Sequence, residues 1–126
     1  MSDISALIVD DSSVMRKIVE RTLRQAGISL VRVLEASNGV EALNLLRTER
    51  VDLILSDINM PSMDGLEFLR QLRAESLAPD VPVVMITTES SEEHVREAIV
   101  AGAHGYIRKP FTAEQVKDRV LPLIGA

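Results

Sequence analysis

The chain has 126 residues, of which 46% are hydrophobic and 26% charged, one domain's worth of ordinary globular composition. Disorder and low complexity are excluded, and the absence of cysteine excludes a disulfide scaffold, a thiolate zinc site and thiol chemistry. The net charge of −5, with no basic stripe, argues against a general nucleic-acid footprint. No apolar run approaches the roughly 18 residues of a membrane span. Met1-Ser2-Asp3-Ile4 lacks the basic start of a signal peptide, so the cytoplasm is the expected compartment.

Short apolar runs alternate with amphipathic stretches five times. Ala6–Val9 reads as the first strand. It is followed by a helix over Ser13–Ala26, in which Val14, Ile18 and Leu23 recur at helical spacing. Ser12 or Ser13 can cap that helix and Gly27 follows its end. Leu30–Glu35 is the second strand, and Asn38-Gly39 punctuates the approach to a helix over Val40–Arg47. The third unit is Asp52–Ser56 and Gly65–Glu75. The fourth is Val83–Ile86 and Glu92–Ala101, closed by Gly102. The fifth is Gly105–Arg108 and Ala113–Leu121, cut short by Pro122.

Five such units predict an α/β fold: a flavodoxin-like, doubly wound parallel sheet with helices on both faces, in one domain spanning 1–126 with no output module. The continuous apolar runs of strands 1, 3 and 4 suit the sheet centre. Strand 2 carries Arg32 and Glu35, and strand 5 is short and carries Arg108, so these suit the edges. This placement fits the order 2-1-3-4-5. Right-handed crossovers then place helices 1 and 5 on one face and helices 2, 3 and 4 on the other.

In such sheets ligands bind beyond the carboxyl ends of the strands, where the order reverses. Strand 1 ends in Asp10-Asp11, strand 3 runs into Asp57, strand 4 into Thr87 and strand 5 into Lys109-Pro110. Each residue has an ordinary reading alone. Asp10 or Asp11 can favour a helix N-terminus, Asp57 can open a turn with Pro61, Thr87 can bond its own backbone, and Lys109 can be solvated. Together these readings fail, because three neighbouring carboxylates repel unless a cation sits among them. Hard oxygen donors without His or Cys suit Mg²⁺. A cation and a lysine in one acidic cleft point to a phosphoryl group.

The stretches Val9-Asp10-Asp11-Ser12, Ser56-Asp57-Ile58-Asn59-Met60-Pro61, Met63-Asp64-Gly65 and Lys109-Pro110-Phe111 are specific in combination. With them the chain resembles the bacterial response-regulator receiver domain over essentially its whole length, most of all that family's single-domain chemotaxis regulators. The resemblance implies that Asp57 accepts a phosphoryl group from a phosphohistidine on a sensor histidine kinase. Asp10, Asp11, Asp57 and the backbone carbonyl of Asn59 would hold Mg²⁺. Lys109 and Thr87 would contact the phosphoryl group, and Tyr106 would turn inward behind Thr87. Asn59 and Glu89 would tune a fast self-dephosphorylation, and Lys109-Pro110 is a candidate cis peptide. The protein would catalyse only its own phosphorylation and dephosphorylation.

Output would be a changed surface on helix 4, strand 5 and helix 5, offered to a downstream protein partner by Val95, Ile99, Tyr106 and Arg108. Core packing is an equal reading for Val95 and Ile99, and Phe111 suits the core better than an interface. A monomer is expected, with dimerisation on phosphorylation left open; neither nucleic acid nor membrane is an expected partner. Glu92, Thr88 and Pro122 depart from the pattern of the flagellar-motor-binding members. Arg16 and Lys17 fit a kinase-docking patch less well than a solvated helix face. The competing readings are a phosphorylation-independent interaction module of the same fold, an aspartyl-nucleophile phosphatase, and an FMN binder. Asp10-Asp11 would repel the FMN phosphate, and no Trp is present to stack on a flavin.

Overall fold

The computed structural model describes residues 3–88 and 92–124. Five strands, β1 (Ile4–Val9), β2 (Leu30–Ala36), β3 (Leu53–Asp57), β4 (Val83–Thr87) and β5 (Gly105–Arg108), form one parallel sheet in the order β2-β1-β3-β4-β5. They alternate with α1 (Ser13–Gln25), α2 (Gly39–Leu46), α3 (Gly65–Ala74), α4 (Glu92–Val100) and α5 (Ala113–Val120). At Pro122 the last helix passes into a 3₁₀ turn over Leu121–Leu123.

The sheet is buried on both sides, and its side chains alternate between two cores. Leu7, Val9, Ile54, Val83 and Met85 face a core built with Leu43 and Leu46 of α2, Phe68, Leu69 and Leu72 of α3, and Ala98 of α4. Ala6, Ile8, Leu53, Leu55, Val84 and Ile86 face the other, with Val19 and Leu23 of α1 and Val116 and Val120 of α5. Helices 1 and 5 therefore share one face and helices 2, 3 and 4 the other, as right-handed crossovers require.

Local chemistry fixes where the helices begin. The side chains of Ser12, Asn38, Asp64 and Thr112 each accept from a backbone N–H one turn into the following helix, and Thr112 completes a capping box with Gln115. Gly27, at φ +88°, and Gly102, at φ +111°, turn the chain out of α1 and α4 through the left-handed region that glycine tolerates best.

Four of the five strands differ in extent from the sequence reading, and one difference matters. β1 starts earlier, at Ile4, and β2 and β4 each run one residue further, to Ala36 and Thr87. β3 begins at Leu53 rather than Asp52 and includes Asp57, which pairs in register with Ile86. Asp52 instead accepts a hydrogen bond from the Ser5 backbone N–H at 2.8 Å. Among the described residues no helix is long and apolar enough to cross a membrane.

Candidate functional site

The register of the sheet assembles the site. Val9 lies level with Ser56, Asp57 with Ile86, and Thr87 with Arg108. The carboxyl ends of four strands thus bring Asp10, Asp57, Thr87 and Lys109 to one rim. The Lys109 backbone N–H donates to the Thr87 carbonyl at 2.8 Å, and the Lys109-Pro110 bond is cis.

Carboxylate oxygens of Asp10, Asp11 and Asp57 lie within 4.8 Å of one another. Asp10 and Asp57 are buried, at 4% and 8% exposure, while Asp11 is exposed. Lys109 Nζ stands between the two buried acids, 3.1 Å from Asp10 Oδ2 and 3.3 Å from Asp57 Oδ2. The remaining carboxylate oxygens are held by backbone. Ser12 N–H donates to Asp10 Oδ1 at 2.9 Å and Ile58 N–H to Asp57 Oδ1 at 2.7 Å. Burial pushes the Asp57 carboxyl above its ordinary range. The Asp10 carboxylate adds to that push, and the Lys109 ammonium opposes it.

One ammonium cannot neutralise three carboxylates. The set is hard oxygen, close-spaced and partly open at Asp11, which suits a small divalent cation that keeps several waters. Asn59 is exposed on the loop two residues beyond Asp57. Thr87 is fully buried at the end of β4. Tyr106 is half-buried on β5, level with Met85. With Arg108, Gln115 and Arg119 it lines a groove of about 350 Å³ between β5 and α5.

Of the remaining expected residues, Ile99 is 57% exposed and does not pack in the core, whereas Val95 is half-buried. Phe111 packs against the α1/α5 core. Glu89 lies outside the described residues. One residue is placed differently from the sequence reading. Arg16 is not on a solvated face: its side chain is 16% exposed and reaches the back of the Asp10 loop. No residue type announces that contact, because its target is a backbone carbonyl. A second neighbour is Gly65, where a Cβ would stand 2.1 Å from the Asp57 carbonyl oxygen.

The family model described as the response regulator receiver domain matches residues 6–121. A chemotaxis protein CheY homolog of Campylobacter jejuni is 44% identical over 120 residues, covering 94% of this chain and 91% of the relative. Among solved structures, the Vibrio cholerae chemotaxis protein CheY4 superposes with a TM-score of 0.84 at 38% identity, covering 97% of this chain and 99% of its own. The receiver domain of the Pseudomonas aeruginosa sensor histidine kinase PA1611, described with a magnesium ion coordinated in its active-site cleft, does so at a TM-score of 0.84 and 27% identity. That match covers 99% of this chain and all of the other.

Proposed function

The chain belongs to the response regulator receiver domain family, and from that premise we propose that it is a phosphorylation-operated switch whose phosphoacceptor is Asp57. One carboxylate oxygen of Asp57 attacks the phosphorus of a phosphohistidine on a sensor histidine kinase. An O–P bond forms, the N–P bond breaks with its electron pair on the ring nitrogen, and the histidine leaves as neutral imidazole after that nitrogen takes a proton from solvent. The observation that carries this reading is the placement of Lys109 Nζ between two buried carboxylates, on a rim open to solvent at Asp11.

Asp10, Asp11, Asp57 and the Asn59 carbonyl are the residues that would hold Mg²⁺. When bound, the ion supplies charge neutralisation for the incoming phosphoryl oxygens. The protein's own part is positioning. Ile58 N–H fixes the plane of the Asp57 carboxylate, and Lys109 is within reach to move from the two acids onto the phosphoryl oxygens. Phosphoryl transfer asks for little else, because its transition state is loose in most analyses. The product is an acyl phosphate, and water entering past the exposed Asn59 returns the site to its resting state.

Thr87 and Tyr106 carry the change outward. Engagement of the Thr87 hydroxyl by the phosphoryl group alters the space behind β4, and Tyr106, with one polar end, suits either an inward or an outward position. The recipient is a protein partner on the face formed by α4, β5 and α5, where Ile99 and Arg108 are exposed. The similarity to chemotaxis proteins supports a place in a chemotaxis pathway.

The test is intact mass after incubation with a small phosphodonor. A gain of one phosphoryl group that disappears with Asp57→Ala, and when Mg²⁺ is chelated, is expected. A gain that survives Asp57→Ala places the chemistry elsewhere. No gain at all makes the fold an interaction module without phosphoryl chemistry.

A further inference from the structure

Asp10 has every polar atom engaged. Its N–H donates to the Ala36 carbonyl at 3.0 Å, Oδ1 accepts from Ser12 N–H, and Oδ2 faces Lys109. Its carbonyl oxygen accepts from Arg16 Nη1 at 2.6 Å. Arg16 is in turn held by Glu35, whose carboxylate accepts from Arg16 Nε at 2.9 Å and from Lys17 Nζ at 3.2 Å. Arg16 is on α1 and Glu35 is on the edge strand β2, so the clamp spans two elements and closes on the loop between β1 and α1. The Arg16 guanidinium holds the Glu35 carboxyl below its ordinary range.

The consequence concerns Asp11. Its carboxylate makes no hydrogen bond to protein among the described residues, yet it is one of the three acids around the common centre. What aims it is the backbone. The Asp10 carbonyl and the Asp11 N–H belong to one planar peptide, so fixing the carbonyl fixes the direction in which Asp11 leaves the loop. We infer that Arg16 is a positioning residue for the cation site: by clamping the Asp10 carbonyl, with Glu35 as its anchor, it orients the Asp10-Asp11 peptide and the open Asp11 carboxylate. Partners of this kind, one step removed from the ligands, commonly cost 10–100-fold in metal affinity when removed.

The inference rests on the reading of the acidic cluster as a divalent-cation site, and it makes a prediction of sign. Through charge alone, deleting a cationic side chain near a cation site strengthens cation binding. Loss of positioning weakens it.

The experiment is calorimetric titration with MgCl₂ of the parent, Arg16→Ala and Arg16→Lys, beside thermal melts of each protein in chelator. The parent is expected to bind, Arg16→Ala to bind about 10-fold more weakly, and Arg16→Lys, which keeps the charge but not the fork, to fall between. Melts in chelator report the structural cost separately. Equal or tighter Mg²⁺ binding by Arg16→Ala overturns the inference, including the case in which only its melting temperature falls. If Arg16→Ala does not melt cooperatively, Arg16→Lys decides, and parental affinity in that variant overturns the inference. A parent that binds no Mg²⁺ overturns the cation-site reading itself, and this inference with it.

Discussion

Asp57 sits under opposed influences, and their balance has a measurable consequence. Burial and the Asp10 carboxylate raise its pKa, while Lys109 and the Ile58 N–H lower it, and the raising side wins. A carboxyl whose pKa is raised on folding binds its proton more tightly when folded. The stability it contributes is therefore present below its unfolded pKa and is lost as pH rises through the higher folded value. At neutral pH the ionised group counts against the fold. Asp57→Asn is expected to raise the melting temperature of the metal-free protein at pH 7, by an amount that shrinks towards about pH 4, near the ordinary carboxyl range. A lower melting temperature at pH 7, or a gap that does not narrow in acid, contradicts this balance. Lys109 has a second partner in Asp10, at 3.1 Å, which that substitution leaves in place. The acids and Lys109 were legible in the sequence because charged residues at the ends of apolar runs stand out. Arg16 was not, since its bonds run to a carbonyl on the neighbouring loop and to a glutamate on another strand.

Among the elements, α3 has the closest bearing on the phosphoacceptor. Its first residue, Gly65, donates from its N–H to the Ile58 carbonyl at 2.7 Å, and its missing side chain makes room for the Asp57 carbonyl. A methyl 2.1 Å from that oxygen meets backbone, which cannot rotate away. Gly65→Ala is expected to destabilise the fold by about 1–3 kcal/mol, as overpacking does, and to weaken Mg²⁺ binding as the end of β3 shifts. Gly39→Ala serves as the comparison. Its Cβ would meet the Met63 side chain at 2.8 Å and Phe68 Cβ at 2.9 Å, so part of the strain falls on a flexible thioether rather than on the Asp57 backbone. A Gly65→Ala protein with parental stability and Mg²⁺ affinity contradicts this assignment. Element type and order were legible because β-branched runs, caps and terminal glycines agree with one another. The end of β3 was not. An aspartate reads as a turn residue, and only the pairing with Ile86 draws Asp57 into the sheet.

At the scale of the whole molecule, one sheet separates two cores and the site lies at its carboxyl rim. Phe68 is fully buried in the core shared by α2, α3 and α4. Phe68→Ala is expected to cost about 3–5 kcal/mol, read by urea unfolding, and a cost under about 1 kcal/mol, well below that range, would place the weight of the fold elsewhere. Which strands lie at the centre of the sheet and which at its edges was legible, because the two kinds differ in polarity. The inward or outward position of Tyr106 was not, because an aromatic ring with one polar end suits either. Tyr106 is also the single tyrosine in a chain without tryptophan, so it reports on its own environment. The most direct measurement is Tyr106 fluorescence followed together with intact mass as phosphodonor is added with Mg²⁺ and then removed. Mass and emission are expected to change together and decay together in the parent, and neither to change in Asp57→Ala. A phosphorylated protein whose Tyr106 emission stays constant, or an emission change in Asp57→Ala, contradicts a switch that runs from Asp57 to β5.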